Sequence, residues 1–513
     1  PHKLLPACSK IRPLPVMASL SPQLPVPLED LSLFDGRGFI AGEWKFAEST
    51  KAFPVFEPSS GNVLSQCADF SRRDFTEAIE HANGAYREYS LNTTAKQKAA
   101  YLRRWNDLIL ENATDLATIV SLENGKTFAE ARGEVLYAAS FVSWFAEEAV
   151  RAYGDVIPSS YPKTAVLTMK EPVGVCSIIT PWNFPAAMIT RKVAPAFAAG
   201  CSVVIKPPSE TPFTAIALVK LALKAGFPPG IINVIPTKDR DASLELATHP
   251  KVSKISFTGS TKVGKMLSQL AVGTMKRMSM ELGGNAPFIV FDDADLDQAV
   301  AAALICKFRS SGQTCVCANR LLVHQDVLQV FTGKLVRALE SFKLGRGIDE
   351  GVTHGPLVNA AAVEKVKSHV ADALEKGGRL RCGGEVPTHL SSGYFYSPTV
   401  ITNVNDSMLV AHDETFGPLA AIFSFASEEQ AIELANATEL GLAGYFFSND
   451  VNRIHRVARR LECGMLGVNT GLISAAETPF GGIKESGVGR EGSKYGIAEY
   501  QNIKSVTIAI SDA

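Results

Sequence analysis

From Pro172 onward the sequence alternates short runs rich in valine and isoleucine with helix-forming stretches, and that alternation narrows the fold more than any other feature. The runs VGVCSIIT, CSVVIKP, INVIP and KISFTG are separated by segments such as TPFTAIALVKLALKAG. Strands alternating with helices build a parallel sheet with helices on both faces. A second series runs from APFIVFDDADLDQAV to GMLGVNT, so the chain reads as two α/β units. Between Arg73 and Arg151, three long segments repeat apolar residues at three-to-four spacing, the pattern of amphipathic helices. FIAGEWKFA and FPVFEPSSGNVL predict short strands joined by Gly/Pro turns. The most apolar stretch, Val193 to Ile205, is broken by Pro195, Gly200 and Ser202 and reads as helix end, turn and buried strand. The final run, SVTIAIS, predicts one more strand, expected to pair with another chain.

Composition removes several function classes. With 513 residues, 46% of them hydrophobic and 20% charged, the chain is long enough for two or three packed units. A formal net charge of −1 without a basic stripe argues against a nucleic-acid partner. No apolar run approaches the ~18 residues that span a bilayer, which argues against a membrane role. Nine scattered cysteines are no disulfide framework and fit a reducing compartment. Residues 1–33 read as a loose arm rich in Pro, Leu and Ser. It carries Lys3, Lys10 and Arg12 with no acid before Glu29, as mitochondrial transit peptides do; Met17, opening MASLSPQ, is an alternative start.

Two glycine motifs mislead. GVGREG (Gly487, Gly489, Gly492) matches the dinucleotide fingerprint, but no strand is predicted before it and only 21 residues follow, so it reads as a glycine-rich loop. GSTKVGK lacks the Ser/Thr after its lysine, where Met266 stands, so it is no P-loop. It does join a strand to a helix, where backbone N–H groups meet phosphate. Four further segments place polar groups at strand ends or glycine turns. ITPWNFP ends one strand with Trp182, Asn183 and Phe184, and VVIKPPSETP ends the next with Lys206. MELGGNAP sets Glu281 before a Gly-Gly turn, and SGQTCVCANR carries Cys315 and Cys317. Ligands of such folds bind beyond the carboxyl ends of the strands. By itself each reading is bland: a loop cysteine is commonly a small hydrophobe, and the Glu a helix-end charge. A metal site is not indicated, because Cys-x-Cys lacks a second pair and no histidine lies near it before His324.

PWNFP, KPPSETP, FTGSTKVG, MELGGNAP, GQTC, DETFGPL and PFGGIKESGVGREG, in this order and spacing from Phe39 to Ser505, resemble the aldehyde dehydrogenase superfamily. FPAAMITRKVAPAFAAGC, CKFRSSGQTCVCANR and TGLISAAETPFGG resemble its succinate-semialdehyde dehydrogenases. The resemblance implies an α/β fold of two Rossmann-like parallel-sheet domains and a small β oligomerisation element. It implies an NAD(P)-binding domain over 34–150 and 173–283, a catalytic domain over 284–482, and an oligomerisation element from 151–172 and 483–513. It implies irreversible oxidation of succinic semialdehyde to succinate, a step of 4-aminobutyrate degradation, in a homodimer or homotetramer of the cytoplasm or mitochondrial matrix, without a metal.

The resemblance also assigns residues. Cys315 is the nucleophile. The Asn183 amide and the Cys315 N–H form the oxyanion hole. Glu281 activates water, which sets the chain apart from acylating relatives that use coenzyme A, and Lys192 supports the site. Lys206 and Ser209 hold the adenosine ribose, Gly259 and Ser260 the pyrophosphate, and Glu414 and Phe416 the nicotinamide ribose and ring, with Thr180 and Trp182 in the same crevice. NAD-preferring relatives commonly carry Glu at the position of Ser209, which here is followed by Glu210; NADP is therefore the expected cofactor, with some use of NAD. Arg191, Arg309 and Ser474 are expected to hold the distal carboxylate of the semialdehyde, with Phe184 and Phe480 beside them, although a lone arginine is commonly a solvated surface charge. Cys315 and Cys317 are expected to form a redox switch; the plainer reading of Cys317 is a packed small residue. Two other readings stand: a dehydrogenase of glutarate semialdehyde or of simple aldehydes, and an inert copy of the fold, which would tolerate loss of the Cys315, Glu281 and Asn183 that are all present.

Overall fold

The computed structural model describes residues 24–390 and 392–511. Its first large sheet has eight strands in the order Glu43–Lys45, Gly38–Ile40, Ile232–Val234, Ser202–Lys206, Val175–Ile179, Val252–Thr258, Arg277–Glu281 and Gly487–Val488. The five from Ile232–Val234 to Arg277–Glu281 are parallel to their neighbours in that set. Burial explains why they read as unbroken apolar runs: Val203, Val204 and Ile205 are fully enclosed, because helices cover both faces. The second sheet orders Arg379–Cys382, Thr399–Thr402, Leu419–Phe425, Ala318–His324, Ala286–Val290, Ala443–Phe447 and Met465–Val468, parallel except at Arg379–Cys382.

Helices Arg72–Asn92, Ala95–Glu111, Ala113–Asn124 and Phe128–Glu148 fill the predicted helical region. Trp105 is wholly enclosed between Phe197 and Phe227, and its Nε1 donates to the Leu218 carbonyl at 3.1 Å; truncating it to alanine would cost roughly 3–5 kcal/mol. Thr127 starts Phe128–Glu148 through a reciprocal cap with Glu130. The apolar stretch resolves as expected: helix Ala187–Ala199, Gly200 at φ +95°, then strand Ser202–Lys206.

Three expectations change. The described part of the arm is docked, not loose: Leu24 and Leu28 pack on the core, and the Asp115 carboxylate accepts the N–H groups of Glu29 (2.9 Å) and Asp30 (2.7 Å). Residues 1–23, with the leader reading and Met17, lie outside the described residues. The tail strand pairs within the chain, Gln501–Ala509 running antiparallel to Thr164–Pro172 over nine residue pairs. The stretch 483–513 is not one element. Ile483–Lys484 pairs with Leu440–Gly441, Gly487–Val488 closes the first sheet, and only Gln501–Ala509 joins Thr164–Pro172. Gly487 permits that closure: at φ +128°, an added Cβ would lie 1.8 Å from the Met280 carbonyl oxygen.

Candidate active site

Cys315 sits on a loop whose backbone is bent three times. A π-helical turn, Leu304–Phe308, leads into Ser310 (φ 50°), Ser311 (φ 54°) and Gly312 (φ 75°), consecutive residues in the left-handed region. Thr314 to Cys317 then form a turn closed by the Cys317 N–H on the Thr314 carbonyl at 3.0 Å. Left-handed serines cost free energy and persist only where surroundings impose them. Here Glu130 accepts the Ser310 N–H (2.7 Å), Ser311 Oγ donates to the Gly355 carbonyl (2.6 Å), and Gln313 accepts the Val358 N–H (2.9 Å) while donating to the Ser310 carbonyl (3.1 Å). Gly284 lets the loop approach the Gly-Gly turn, since a Cβ there would stand 2.2 Å from the Cys315 carbonyl oxygen.

Two cavities share Cys315 in their walls. The larger, about 380 Å³, opens at the strand ends and is lined by Trp182, Asn183, Gly259, Ser260, Glu414 and Phe416. The rings of Trp182 and Phe416 meet edge to face at 5.5 Å. Ser260 caps helix Thr261–Ala271 without a side-chain bond to it, so N–H groups of the first turn remain for an anion. Glu414 accepts the Gly284 N–H at 3.1 Å, and burial pushes its carboxyl up to about 7. The smaller cavity, about 240 Å³, is lined by Tyr137, Phe184, Arg191, Arg309, Ser474 and Phe480, among others. The two arginines are thus not surface charges. Arg191 lies 4.3 Å from the Phe480 ring centre and Arg309 5.6 Å from that of Phe184.

Behind Cys315 lies a buried charge cluster that the motifs do not announce. Glu491 pairs with both Arg191 and Lys192, and all three are buried. Against the upward push of burial, these two cations hold Glu491 below the ordinary carboxylate range. Glu281 ends its strand nearby with both carboxylate oxygens enclosed and without hydrogen-bond partners. Burial first, then the charge of Glu491, raises it well above the carboxylate range. Burial likewise pushes the Cys315 thiol up to about 12, opposed by Arg191. Asn183 Nδ2 donates to the Gln313 carbonyl at 3.1 Å, while its Oδ1 has no partner.

The remaining expected residues are spread more widely. Ser209 lines a separate cavity of about 170 Å³ with Glu123, Glu210, Lys238 and Tyr394, and its Oγ donates to Glu210 at 3.1 Å. Lys206 ends its strand close by, its ammonium lowered by burial and raised in part by Glu210. Thr180 stands behind the larger cavity rather than on its wall, its Oγ1 buried without a partner. Lys192 lines neither cavity beside Cys315; it pairs with Glu491. Cys317 is buried, as its plainer reading holds, and its Sγ accepts from Lys307 Nζ at 3.2 Å. Sequence reasoning missed Glu491, Tyr137 and Gln313. Glu491 stood inside the glycine motif set aside as a loop, and Gln313 inside GQTC; Tyr137 had no motif at all.

A cleft at strand ends and a cavity lined by side chains, joined at one cysteine, are the parts of a thiol-dependent oxidoreductase. The chain belongs to the aldehyde dehydrogenase family, whose profile matches residues 44–506. It is 52% identical over 497 residues to succinate-semialdehyde dehydrogenase (NADP+) 1 of Schizosaccharomyces pombe, covering 96% of this chain and 99% of that one. It is 49% identical over 483 residues to a glutarate-semialdehyde dehydrogenase of Pseudomonas putida, covering 94% and 100%. The crystal structure of succinate-semialdehyde dehydrogenase from Burkholderia pseudomallei superposes with a TM-score of 0.93 at 51% identity, covering 94% of this chain and 100% of that one.

Proposed function

We propose that this protein oxidises succinic semialdehyde to succinate with NADP+ as the preferred acceptor. The observation that carries the reading is the shared wall: Cys315 faces both cavities, and the substrate-side cavity holds Arg309. Arg309 Nε is buried without a hydrogen-bond partner, and no carboxylate lies within 4 Å of its guanidinium among the described residues. Arg191 is already paired with Glu491 but keeps a buried Nη2 without a partner. A guanidinium waiting beside a reactive thiol suits an aldehyde that ends in a carboxylate.

In this reading the Cys315 thiol gives its proton to water, and its Sγ adds to the aldehyde carbon as the carbonyl π electrons move onto oxygen. The oxygen of the tetrahedral thiohemiacetal is held by the Cys315 N–H and by the second amide hydrogen of Asn183, the first being used by Gln313. Trp182, Glu414 and Phe416 line the larger cavity and would hold the nicotinamide, which would accept the hydride there. Glu281 then takes a proton from water, the oxygen adds to the thioester carbon, and the C–S bond breaks to return the thiol. Its two enclosed oxygens have no hydrogen-bond partner among the described residues, which leaves them to the water. Lys192 keeps Glu491 charged beside it.

The NADP+ preference rests on Ser209. A hydroxyl there, with Lys206 and Lys238 nearby, can donate to a 2′-phosphate that a carboxylate would repel. Glu210 in the same cavity accounts for residual use of NAD+. We place two chains together along the outer edge of Gln501–Ala509, which carries the exposed Ile503 and Ile508 and is unpaired among the described residues. A reducing compartment suits a catalytic thiol. The longer glutarate semialdehyde is the second reading, favoured by the Pseudomonas putida relative. A chain-length series of ω-carboxy aldehydes, followed by reduced-nucleotide absorbance, separates them. The proposal expects kcat/KM to peak at the four-carbon semialdehyde. A peak at five carbons would transfer the assignment, and equal rates with butanal would remove the carboxylate from it.

A further inference from the structure

Tyr137 belongs to no motif, yet it stands in the substrate-side cavity with its phenol bonded to Ser474. It projects from helix Phe128–Glu148, on the same face as Glu130 and Glu134, which also line the cavity. Its ring packs edge-on against Phe141 at 4.8 Å, and its Oη and Ser474 Oγ share one hydrogen bond. Ser474 makes no other side-chain bond among the described residues, and both residues face the cavity that holds Arg191 and Arg309.

Two hydroxyls that share one hydrogen bond have one O–H left over. A phenol is the stronger acid of the two, so it is the better donor and serine the better acceptor. Tyr137 therefore donates to Ser474, and the Ser474 proton is the one left for the cavity. Burial raises the Tyr137 phenol above its ordinary value, with Arg191 pulling the other way, so the phenol keeps the proton it donates. A hydroxyl that already accepts a hydrogen bond donates more strongly in turn.

We propose that Tyr137 is a positioning residue for substrate selection: its phenol fixes the Ser474 hydroxyl so that the serine donates to the distal carboxylate of the substrate beside the two arginines. This rests on the ω-carboxy aldehyde reading given above. The mechanism separates it from a packing role. A packing residue would affect every aldehyde that fills the cavity, whereas Tyr137 acts on the carboxylate alone, and only while Ser474 is present.

The test is a double-mutant cycle with Tyr137→Phe and Ser474→Ala, assayed on succinic semialdehyde and butanal, with thermal melting to confirm that each variant folds. Tyr137→Phe keeps the ring and removes only the O–H. It is expected to raise KM for succinic semialdehyde about 10-fold, the scale of one hydrogen bond to a charged group. Its kcat should stay within about twofold, because the bond is made in ground and transition state alike, and its KM for butanal should not move. Ser474→Ala is expected to do the same, and the double variant to be no worse than Ser474→Ala alone. Equal losses on both aldehydes, or losses that multiply in the double variant, would overturn the proposal while leaving the substrate reading intact. A wild type that handles butanal as well as succinic semialdehyde would overturn both.

Discussion

The two cavities that meet at Cys315 are built from different materials. One wall of the larger is made by the ends of parallel strands and the turns that follow them, Thr258 to Ser260, Leu282 and Gly283, and Pro181 to Asn183; Val358 to Lys365 and Glu414 to Phe416 close the other side. The smaller is made by side chains from distant segments: Glu130 to Tyr137, Phe184 to Arg191, Arg309 to Val316, Ser474 and Phe480. Topology fixes the strand-end wall of the first, which can change little without moving a sheet. The second can be re-lined residue by residue while the sheets stay in place. Nucleotide choice and aldehyde choice should therefore be separable by mutation, and Cys315, which lines both cavities, should be needed for turnover with every nucleotide and every aldehyde.

The largest effect is expected there. Cys315→Ala should lower turnover by roughly 10^4-fold or more while the folded protein still binds nucleotide, as read by fluorescence titration. Appreciable turnover would break the claim that the cavities are joined through this thiol. On the substrate side, Arg309→Leu removes the guanidinium that has no carboxylate partner among the described residues, and KM for succinic semialdehyde should rise at least about 30-fold, the lower end for a lost buried charge partner. Butanal kinetics and the Kd for nucleotide should stay put; parallel losses on both aldehydes would collapse the distinction between the two cavities. On the nucleotide side, Ser209→Glu should shift the kcat/KM ratio of NADP+ to NAD+ by roughly 10-fold or more toward NAD+, with aldehyde preference unchanged. A wild type that already prefers NAD+ would refute the role given to Ser209.

The smallest effect concerns the loop between the cavities. We propose that peroxide converts the Cys315 thiol to a sulfenic acid with release of water, and that the Cys317 thiol displaces a second water to close a disulfide. Cys317 must leave Lys307 to do so. Peroxide should inactivate the wild type, and dithiothreitol should restore most of its activity. Cys317→Ala should recover only in part, because its Cys315 proceeds to sulfinic acid. Full recovery of that variant would sink the switch.

How much was legible in the sequence follows the same division. Strands buried on both faces announce themselves as apolar runs, and turns at their ends need glycine and small residues, so the Gly259–Ser260 turn was readable with the sheet, whereas Glu281 by itself read as a helix-end charge and took its role from the resemblance. The substrate cavity was readable only where a segment carried a motif, as at Arg191, Arg309 and Ser474. Tyr137 lies on a helix whose periodic pattern reports burial and nothing about what its partly buried face touches. Glu491 was unreadable for a different reason: it reaches Lys192 across 299 residues. Its loop is brought there by Gly487–Val488, a strand too short to leave a pattern. The partner of Gln501–Ala509 was hidden likewise, since pairing with Thr164–Pro172 spans more than 300 residues of sequence. Long-range pairing leaves no local trace, and it was the arrangement of remote segments, not their secondary structure, that had to come from coordinates.

The central claim is that oxidation runs in two halves on one cysteine, with Glu281 needed only for the second. It is tested most directly by mixing Glu281→Gln with NADP+ and excess succinic semialdehyde in a stopped-flow spectrophotometer, then locating the acyl group by mass spectrometry of the quenched protein. The account predicts a burst of NADPH near one equivalent per active site, then a stall, with the succinyl group on the peptide that carries Cys315. Steady turnover at the wild-type rate, or a burst whose acyl group lies on any other residue, would contradict it.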